Sequence, residues 1–296
     1  MLPALVAALR RKTNERGIAL VVVLGFLAVM ALITIGIVGA ARTAATSASR
    51  ELVRAQAQAA IESGVDYAVN ALLTSEGFAP SLLTKPEAIT IDGFRVIVSV
   101  RPEHAKVDLN YADANLLAIL FVAGGADQAR ADALAAAVED WRDGDDLLHV
   151  NGAERQEYAE AGLGYVPANQ FFRSPDELRL VLGLDRRIYD CVRPEVTILS
   201  QRQGIDIDAA SPAIRQAAGI DKDAIAAPIL IKPGDAFEIT ARLDDVKRGV
   251  RRSERTVVRI TGNPDDPYAV LSFEPARPLD EAAARSCPRR VTASAR

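Results

Sequence analysis

The densest group of side chains with chemical potential is a run of carboxylates between residues 140 and 157. Its members are Asp140, Asp143, Asp145, Asp146, Glu154 and Glu157. Carboxylate oxygens are hard ligands, and Ca²⁺ accepts about six to eight oxygens at loose geometry. The run is therefore a candidate calcium site, although it lacks the register of an EF-hand loop. The expected ligands are Asp143, Asp145, Asp146 and Glu154. A solvated acidic surface without metal is the alternative interpretation.

Catalysis by these or other polar residues is not expected. Paired carboxylates can hydrolyse glycosides, but this run lacks the aromatic neighbours on which a sugar would stack. His104 and His149 lie far apart in the sequence, and no Gly-x-Ser-x-Gly motif accompanies them. We interpret them as solvated or hydrogen-bonded histidines, and Trp141 as a core residue. The sequence predicts a protein that is not an enzyme and requires no cofactor, with Ca²⁺ as the one candidate ligand.

An uncharged stretch from Ile18 to Ala41 is a candidate membrane-spanning segment. As a helix it would extend about 36 Å at roughly 1.5 Å per residue, which is enough to cross a bilayer. The preceding basic residues are Arg10, Arg11, Lys12 and Arg16. This excess of positive charge predicts a cytoplasmic leader at 1–17, a transmembrane helix at 18–41 and an exported body. A cleaved secretory signal ending near Gly39–Ala41 is the alternative.

The charge balance argues against nucleic acid as a partner. The chain has 35 basic and 39 acidic side chains, a net charge of -4. Most of the basic excess lies in the leader, so the exported body is more acidic than the whole chain. A broad basic surface that would neutralise phosphates is therefore not expected.

The two cysteines, Cys191 and Cys287, both lie in the predicted exported body. Disulfides form and persist in such oxidising compartments. A bridge would tie the middle of the chain to its C-terminal tail, and two free thiols are the other interpretation.

Periodicity predicts the elements that carry these residues. The apolar residues Val53, Ala57, Ile61, Val65, Ala68 and Leu72 recur at helical steps, so one helix of about 55 residues is expected from Ile18. Asp92-Gly93 predicts a hairpin turn between two short strands. Helices are expected near 112–122, 126–142, 152–161, 174–183 and 211–218, and strands at 195–199 and across 237–273. The predicted domains are 42–110, an inserted α domain at 111–195, the rest of the β domain at 196–274, and a tail at 275–296.

Two segments are similar to helix starts of helix-hairpin-helix or SAM-like units: Val107–Ala112 and Ile205–Ala210. Such units often bind DNA through a Gly-apolar-Gly hairpin. The corresponding hairpin, Ala123–Asp127, lacks the apolar residue and places Asp127 where a phosphate would approach. We therefore interpret the region as a packing module.

The junction Arg16-Gly17-Ile18 resembles the leader and N-terminal helix of type IV pilins and type II secretion pseudopilins. The resemblance implies cleavage between Gly17 and Ile18 by a prepilin peptidase, and N-methylation of Ile18. Most members have Glu at the fifth mature position, where this chain has Val22. A carboxylate in a bilayer is costly unless it is paired, and the usual partner is the amine of a subunit added earlier. A subunit with no earlier neighbour does not need it.

Several motifs in the predicted α domain are similar to those of K-type minor pseudopilins. They are Val107–Asn110, Glu139–Asp146, Gly152–Glu154, Tyr158 and Phe172–Leu178. The resemblance implies an α+β pilin-like fold, in which a long N-terminal helix packs on an antiparallel sheet that carries an inserted all-α domain. It implies a single-pass inner-membrane protein with a periplasmic body at the tip of a type II secretion pseudopilus. Calcium-binding members of the family support the metal prediction.

The implied partners are minor pseudopilins of the I, J and H types, the major pseudopilin, the prepilin peptidase and the inner-membrane assembly platform. Secreted substrates are a further candidate, whereas nucleic acid is not. Two other functions share some of these features. One is a type IV pilus minor pilin for adhesion or DNA uptake. The other is a membrane-anchored periplasmic hydrolase that uses the acidic run.

Overall fold

A computed structural model describes residues 15–74, 81–220 and 231–275 together with Cys287, with side chains from residue 19 onward. The chain divides into two compact units, Met1–Ala55 and Gln56–Arg296. Most of the predicted leader at 1–17 and of the predicted tail at 275–296 lies outside the described residues. The predicted domain boundaries remain predictions.

The first element is helix α1, Glu15–Thr74. No proline interrupts the chain between Pro3 and Pro80, which allows the backbone hydrogen-bonding pattern to continue without a break. From Ala19 the helix is long and apolar enough to cross a membrane, with a mean hydropathy of 2.9 in its most apolar window. The side chains of that window are exposed in this chain, as the prediction of a membrane-spanning helix requires.

Within the second unit, the last turns of α1 lie against a β-sheet. Ala57, Ile61 and Ala68 are fully or almost fully buried, as their helical spacing predicts. Gly64 marks the closest approach, because a Cβ there would lie 2.9 Å from Val96 Cγ1. Only a glycine lets the helix approach the sheet this closely.

The sheet is antiparallel, with five strands in the order β1-β2-β5-β6-β7. The strands are β1 Glu87–Ile91, β2 Phe94–Pro102, β5 Ala236–Asp245, β6 Val250–Asn263 and β7 Asp266–Pro275. The β1–β2 turn has Asp92 at φ 49° and Gly93 at φ 75°. Two consecutive positive φ angles are what a two-residue hairpin requires, so the predicted turn is confirmed.

A helical block lies between β2 and β5, which are neighbours in the sheet. Its elements are α2 Ala114–Ala123, α3 Gln128–Arg142, α4 Arg155–Glu160, α5 Arg186–Val192 and α6 Pro212–Ala217. A short parallel pair, β3 Val107–Asp108 and β4 Val196–Thr197, closes its base. Leu120, Phe121, Trp141 and Ile188 share one core. A long helix on an antiparallel sheet with added helices is the α+β class that the resemblance implies.

The predicted helix at 174–183 is wrong, because the chain forms a 3₁₀ helix over Pro175–Leu180. The Val181 N–H donates to Leu178 O, a three-residue step. The Leu182 N–H donates to the hydroxyl of Tyr158 at 3.0 Å instead of to its own helix. A tertiary hydrogen bond therefore outweighs the local helical preference. The predicted strand at 195–199 likewise shortens to Val196–Thr197, after a 3₁₀ turn at Arg193–Glu195.

Candidate functional site

The acidic loop, which we define as residues 143–154, connects α3 to α4. Helix α3 ends because Asp143 is extended at ψ 170° and Gly144 follows it. Helix α4 begins after Glu154, whose N–H donates to the carboxylate of Glu157 at 2.8 Å. Both ends of the loop are therefore fixed by backbone geometry, and carboxylates stand at both of them.

Asp140 is a fully buried carboxylate that holds the loop together. It accepts hydrogen bonds from the backbone N–H of Ala153 at 2.6 Å and of His149 at 3.1 Å, and it contacts His149 Nδ1. A Cβ at Gly152 would lie 2.0 Å from Asp140 Oδ2, so only glycine fits there. His149 is the hydrogen-bonded histidine that the sequence predicts. The hydrogen bond to Asp140 raises the pKa of His149 above its usual value.

A residue distant in sequence completes the loop. The side-chain N–H₂ of Asn169 donates to Asp145 O at 2.8 Å and to Asp146 Oδ1 at 2.9 Å. Asn169 has a positive φ of 46°, a conformation that asparagine adopts more readily than most residues. Asp145 Oδ1 accepts the N–H of Leu147 at 2.9 Å, which turns the chain within the loop.

Four buried oxygen atoms in this region have no hydrogen-bond partner. They are Asp143 Oδ1, Glu154 Oε1, Glu154 Oε2 and Asn169 Oδ1. A buried oxygen without a donor loses its hydration without compensation, and a buried carboxylate is costlier still. Oxygens in this state fit a hard cation, because coordination would supply the missing interaction.

The charges of the loop act strongly on Glu154, whose side chain is 5% exposed. Burial, followed by the negative charges of Asp140, Asp143, Asp146 and Asp145, raises its pKa to about 7. Burial and the charges of Asp145 and Asp140 also raise the pKa of Asp143. Like charges held together in this way favour either protonation or a bound cation.

The charges of Asp143, Asp145 and Asp146 all act on Glu154, and whether these four residues share a metal stays a prediction. Asp145 and Asp146 are exposed, whereas Asp143 and Glu154 are more buried. The sequence did not identify Asn169 or the bracing role of Asp140. Among the described residues, the group whose potential ligand atoms lie within 4.8 Å of one another is Asp140, Asp143 and His149, which includes only Asp143 of the four predicted ligands. Since Asp140 already contacts three nitrogen atoms of the loop, we assign it to support of the loop.

The motif Val107–Asn110 has a structural role. Asp108 accepts hydrogen bonds from the N–H groups of Asn110 and Gln201, at 3.0 and 2.8 Å. Asn110 exchanges two hydrogen bonds with the backbone of Phe172, at 3.0 and 2.7 Å. These contacts fix the chain on both sides of the helical block. Asp127 of the neighbouring hairpin caps α3 by accepting the N–H of Arg130 at 2.9 Å.

Cys191 and Cys287 are joined in a disulfide, with their Cα atoms 5.5 Å apart. The bridge connects α5 to the C-terminal part of the chain across 96 residues. A covalent link over this separation removes conformations from the unfolded chain. It therefore stabilises the second unit.

We expect the double substitution Cys191→Ser and Cys287→Ser to lower the free energy of unfolding by about 2–4 kcal/mol, because a loop of this length gains conformational entropy when it opens. Urea unfolding of the oxidised wild type and the variant measures this loss. The wild type reduced with dithiothreitol is the matched control and should unfold like the variant. Two free thiols in the denatured, unreduced wild type would contradict the bridge.

Gly17 and Ile18 fall in the first turn of α1, where side chains lie outside the described residues. Their cleavage and methylation remain predictions. Val22, the residue at the fifth mature position, is a 64% exposed apolar side chain in the membrane-length stretch.

Comparison with known proteins finds relatives that are similar to the helical block. Residues 98–201 match the family model described as Type II secretion system (T2SS), protein K. Type II secretion system protein K of Klebsiella pneumoniae is 38% identical over 76 residues, which are 26% of this chain and 23% of the relative. The protein of that name from Pectobacterium carotovorum subsp. carotovorum is 40% identical over 75 residues, 25% of this chain and 23% of the relative. These alignments span about a quarter of the length of the curated relatives.

A solved structure extends the similarity to the fold. The crystal structure of the GspK-GspI-GspJ complex from the type 2 secretion system of enterotoxigenic Escherichia coli contains a chain that matches with a TM-score of 0.58. The match covers 78% of this chain and 99% of that chain at 17% identity, so it establishes the shared fold. The predicted pilin-like α+β class is thereby confirmed. Residues 98–201, about a third of the chain, are therefore similar to protein K of type II secretion systems.

Proposed function

We propose that this chain is a non-enzymatic minor pseudopilin that caps the tip of a type II secretion pseudopilus and helps to initiate its assembly. The observation that carries the proposal is the placement of a protein K domain between two neighbouring strands of a sheet on which α1 packs. A helix that begins in a membrane-length apolar stretch and ends on a sheet suits a subunit that moves from a bilayer into a filament.

The apolar part of α1 supports a single-pass anchor before assembly. We propose that residues 1–17 remain cytoplasmic, that the body is periplasmic, and that the membrane is the inner one. The basic residues before Ile18 favour this orientation, because positive charge is retained on the cytoplasmic side.

The size of the helical block supports a tip position. In a helical shaft each subunit has neighbours above and below it, and a large insertion between β2 and β5 would collide with them. At the end of a filament one side is free. Val22 agrees with this placement, because a subunit laid down first has no earlier amine with which a glutamate could pair.

The partners follow from the same assignment. The solved relative was crystallised with two other proteins, GspI and GspJ. We propose that this chain binds minor pseudopilins of the I and J types, and that the H type, the major pseudopilin, the prepilin peptidase and the assembly platform also contact it. Contact with secreted substrates would occur through the helical block, which is the part added to the pilin-like core.

We further propose that the acidic loop binds Ca²⁺ through Asp143, Asp145, Asp146 and Glu154, with Asn169 as an additional oxygen ligand. The support is the set of buried, unpartnered oxygens on Asp143, Glu154 and Asn169. When bound, the cation would neutralise the crowded carboxylates. The residues themselves hold the loop between α3 and α4 in one conformation.

Processing is tested by N-terminal mass analysis of the protein from cells with and without the prepilin peptidase. We expect a mature form that begins at N-methylated Ile18 only where the peptidase is present. Gly17→Val should block cleavage, because a bulky residue before the scissile bond obstructs the enzyme. Gly25→Val, in the same helix and with open space around it, should be cleaved normally. A start at Met1 or near Ala41 in wild-type cells would contradict the proposal.

The tip position is tested by immunogold labelling of pseudopili. An epitope inserted at Val246, which is 83% exposed in the β5–β6 turn, should leave the fold intact. We expect gold particles at filament ends only. Particles spaced along the shaft would show that the chain is a shaft subunit and would overturn the tip assignment.

A further inference from the structure

A cavity of about 460 Å³ lies between the sheet and the helical block, at a distance in sequence from the acidic loop. Strands β2, β5 and β6 supply one wall, and the 3₁₀ turn at Arg193–Glu195 and the start of α6 supply another. Its volume falls within the range of about 300–1,000 Å³ that is usual for ligand sites. It exceeds what one isolated carboxylate or phosphate would fill.

The lining of this cavity has more cations than carboxylates, although the chain as a whole carries a net charge of -4. The described residues that line it include six cations, which are Lys85, Arg101, Lys106, Arg193, Arg242 and Arg255. Glu238 is the one carboxylate among those lining residues. A concave surface with one dominant sign of charge concentrates ligands of the opposite sign. The cavity therefore favours an anionic ligand.

Carboxylates in and next to the lining pair with several of these cations and hold them in place. Arg193 Nε lies 2.6 Å from Asp176 Oδ1, and Arg101 donates to Glu195 and to Pro194 O. Lys106 Nζ lies 2.6 Å from Glu103 and 2.9 Å from Glu238. These pairs fix the positions of the cations before any ligand arrives, which reduces the entropy lost on binding.

The rest of the lining distinguishes an acidic peptide from a simple inorganic anion. Leu82, Pro86, Val100 and Pro194 provide apolar surface, and the hydroxyls of Ser99 and Thr240 provide hydrogen-bonding groups. A peptide offers carboxylates, aliphatic groups and backbone amides together, so it matches all three kinds of surface. Arginine also recognises carboxylates with a planar pair of donors.

We propose that this basic cavity is a binding site for an acidic peptide segment of another protein, with glutamate or aspartate side chains directed at its arginines and lysines. The site goes beyond the proposed tip function and does not depend on calcium. Lys85 stands at an exposed position of the lining. Among the described residues it has no ion-pair partner, so it is suited to meet an incoming carboxylate.

The test uses the full chain in neutral detergent and two capped hexapeptides, one of alternating alanine and glutamate and one of alternating alanine and glutamine. Fluorescence anisotropy of labelled peptide measures binding. We expect the glutamate peptide to bind about tenfold more tightly, and salt to weaken its binding. Lys85→Glu should weaken it about tenfold, because the substitution reverses one charge of the lining. Lys247→Glu, the same change at an exposed position in the β5–β6 turn, should change it less than about twofold.

A second variant keeps the result independent of Lys85. Ser99→Asp adds a carboxylate to the lining from β2, and we expect it also to weaken the glutamate peptide without loss of melting temperature. Equal binding of the two peptides, or an equal effect of Lys85→Glu and Lys247→Glu, would overturn the proposal. Asp280 and Glu281 of this chain are a competing source of carboxylates. Binding that appears only in the double variant Asp280→Asn and Glu281→Gln would assign the cavity to the chain itself.

Discussion

Calcium at about 100 times its dissociation constant should raise the melting temperature of the chain at pH 8 by about 5–10 °C. Binding at this concentration stabilises the folded state by about 2.7 kcal/mol. Each kcal/mol of stability raises the melting temperature of a domain of this size by about 2–4 °C. Glu154→Gln should lose most of this gain, because it removes the charge of one of the four proposed ligands. Differential scanning fluorimetry with and without Ca²⁺ measures both values.

The pH dependence of the free energy of unfolding provides a second test of this prediction. The pKa of Glu154 is raised to about 7 in the folded chain, from 4.5. The contribution of protonated Glu154 to the free energy of unfolding is therefore fully present below about pH 4.5. It is lost as the pH rises through about 7, because the folded state must then accept a buried charge. Without calcium, the wild type should lose up to about 3 kcal/mol over this window. Calcium should reverse the loss.

At pH 8, calcium should consequently reverse which protein is the more stable, the wild type or Glu154→Gln. Without it, Glu154→Gln should be the more stable protein, because it carries no buried charge. With calcium the wild type should be the more stable. Glu160→Gln, an exposed substitution at the end of the same helix, is the matched control and should follow the wild type in both conditions. Equal calcium responses of the wild type and Glu154→Gln would show that Glu154 is not a ligand.

Local sequence signals predicted the elements whose geometry depends on adjacent residues. Asp92-Gly93 specifies its turn because two successive residues must adopt positive φ, and few other pairs do so. The apolar spacing of Ala57, Ile61 and Ala68 specifies the buried side of α1 in the second unit, because burial follows helical periodicity. In both cases the information lies within a few turns of the chain.

The metal site itself stays a prediction, but the acidic loop is visible in the sequence. Its carboxylates at 143–154 are close in sequence and lie on one loop. Asn169 comes from a different loop, and its contact with Asp146 is visible only once the tertiary structure is known. The 3₁₀ helix at Pro175–Leu180 follows this logic too, because the hydroxyl of Tyr158 takes the N–H of Leu182 from outside the segment.

Lys106 is the clearest feature that no local pattern indicates. It is 4% exposed and follows a short 3₁₀ turn, and its Nζ contacts Glu103 at 2.6 Å and Glu238 at 2.9 Å. Glu238 lies on β5, beyond the whole helical block in sequence. Burial opposes ionisation of Glu238, but Lys106, Arg255 and Arg101 outweigh it and lower its pKa to about 2. The three side chains Lys106, Glu103 and Glu238 form one buried charge network.

We expect Lys106→Met to lower the free energy of unfolding at pH 7 by about 3–5 kcal/mol, because it leaves two carboxylates with less compensation in a buried position. Urea unfolding of the full chain in detergent measures the loss. Lys247→Met removes an exposed lysine from the β5–β6 turn and should stay within about 0.5 kcal/mol of the wild type.

A lower pH should reduce the difference in the free energy of unfolding between Lys106→Met and the wild type. Because the folded pKa of Glu238 is depressed, its ionised form contributes stability above about pH 4.5, and this contribution is lost as the pH falls towards about 2. The variant lacks most of the contribution at pH 7, so it has less to lose in acid. Adding Glu238→Gln to Lys106→Met should recover part of the loss at pH 7, since one of the two uncompensated charges is then gone. A difference that stayed constant from pH 7 to pH 3, with no recovery in the double variant, would show that Lys106 acts through packing of its aliphatic stem instead of through its charge.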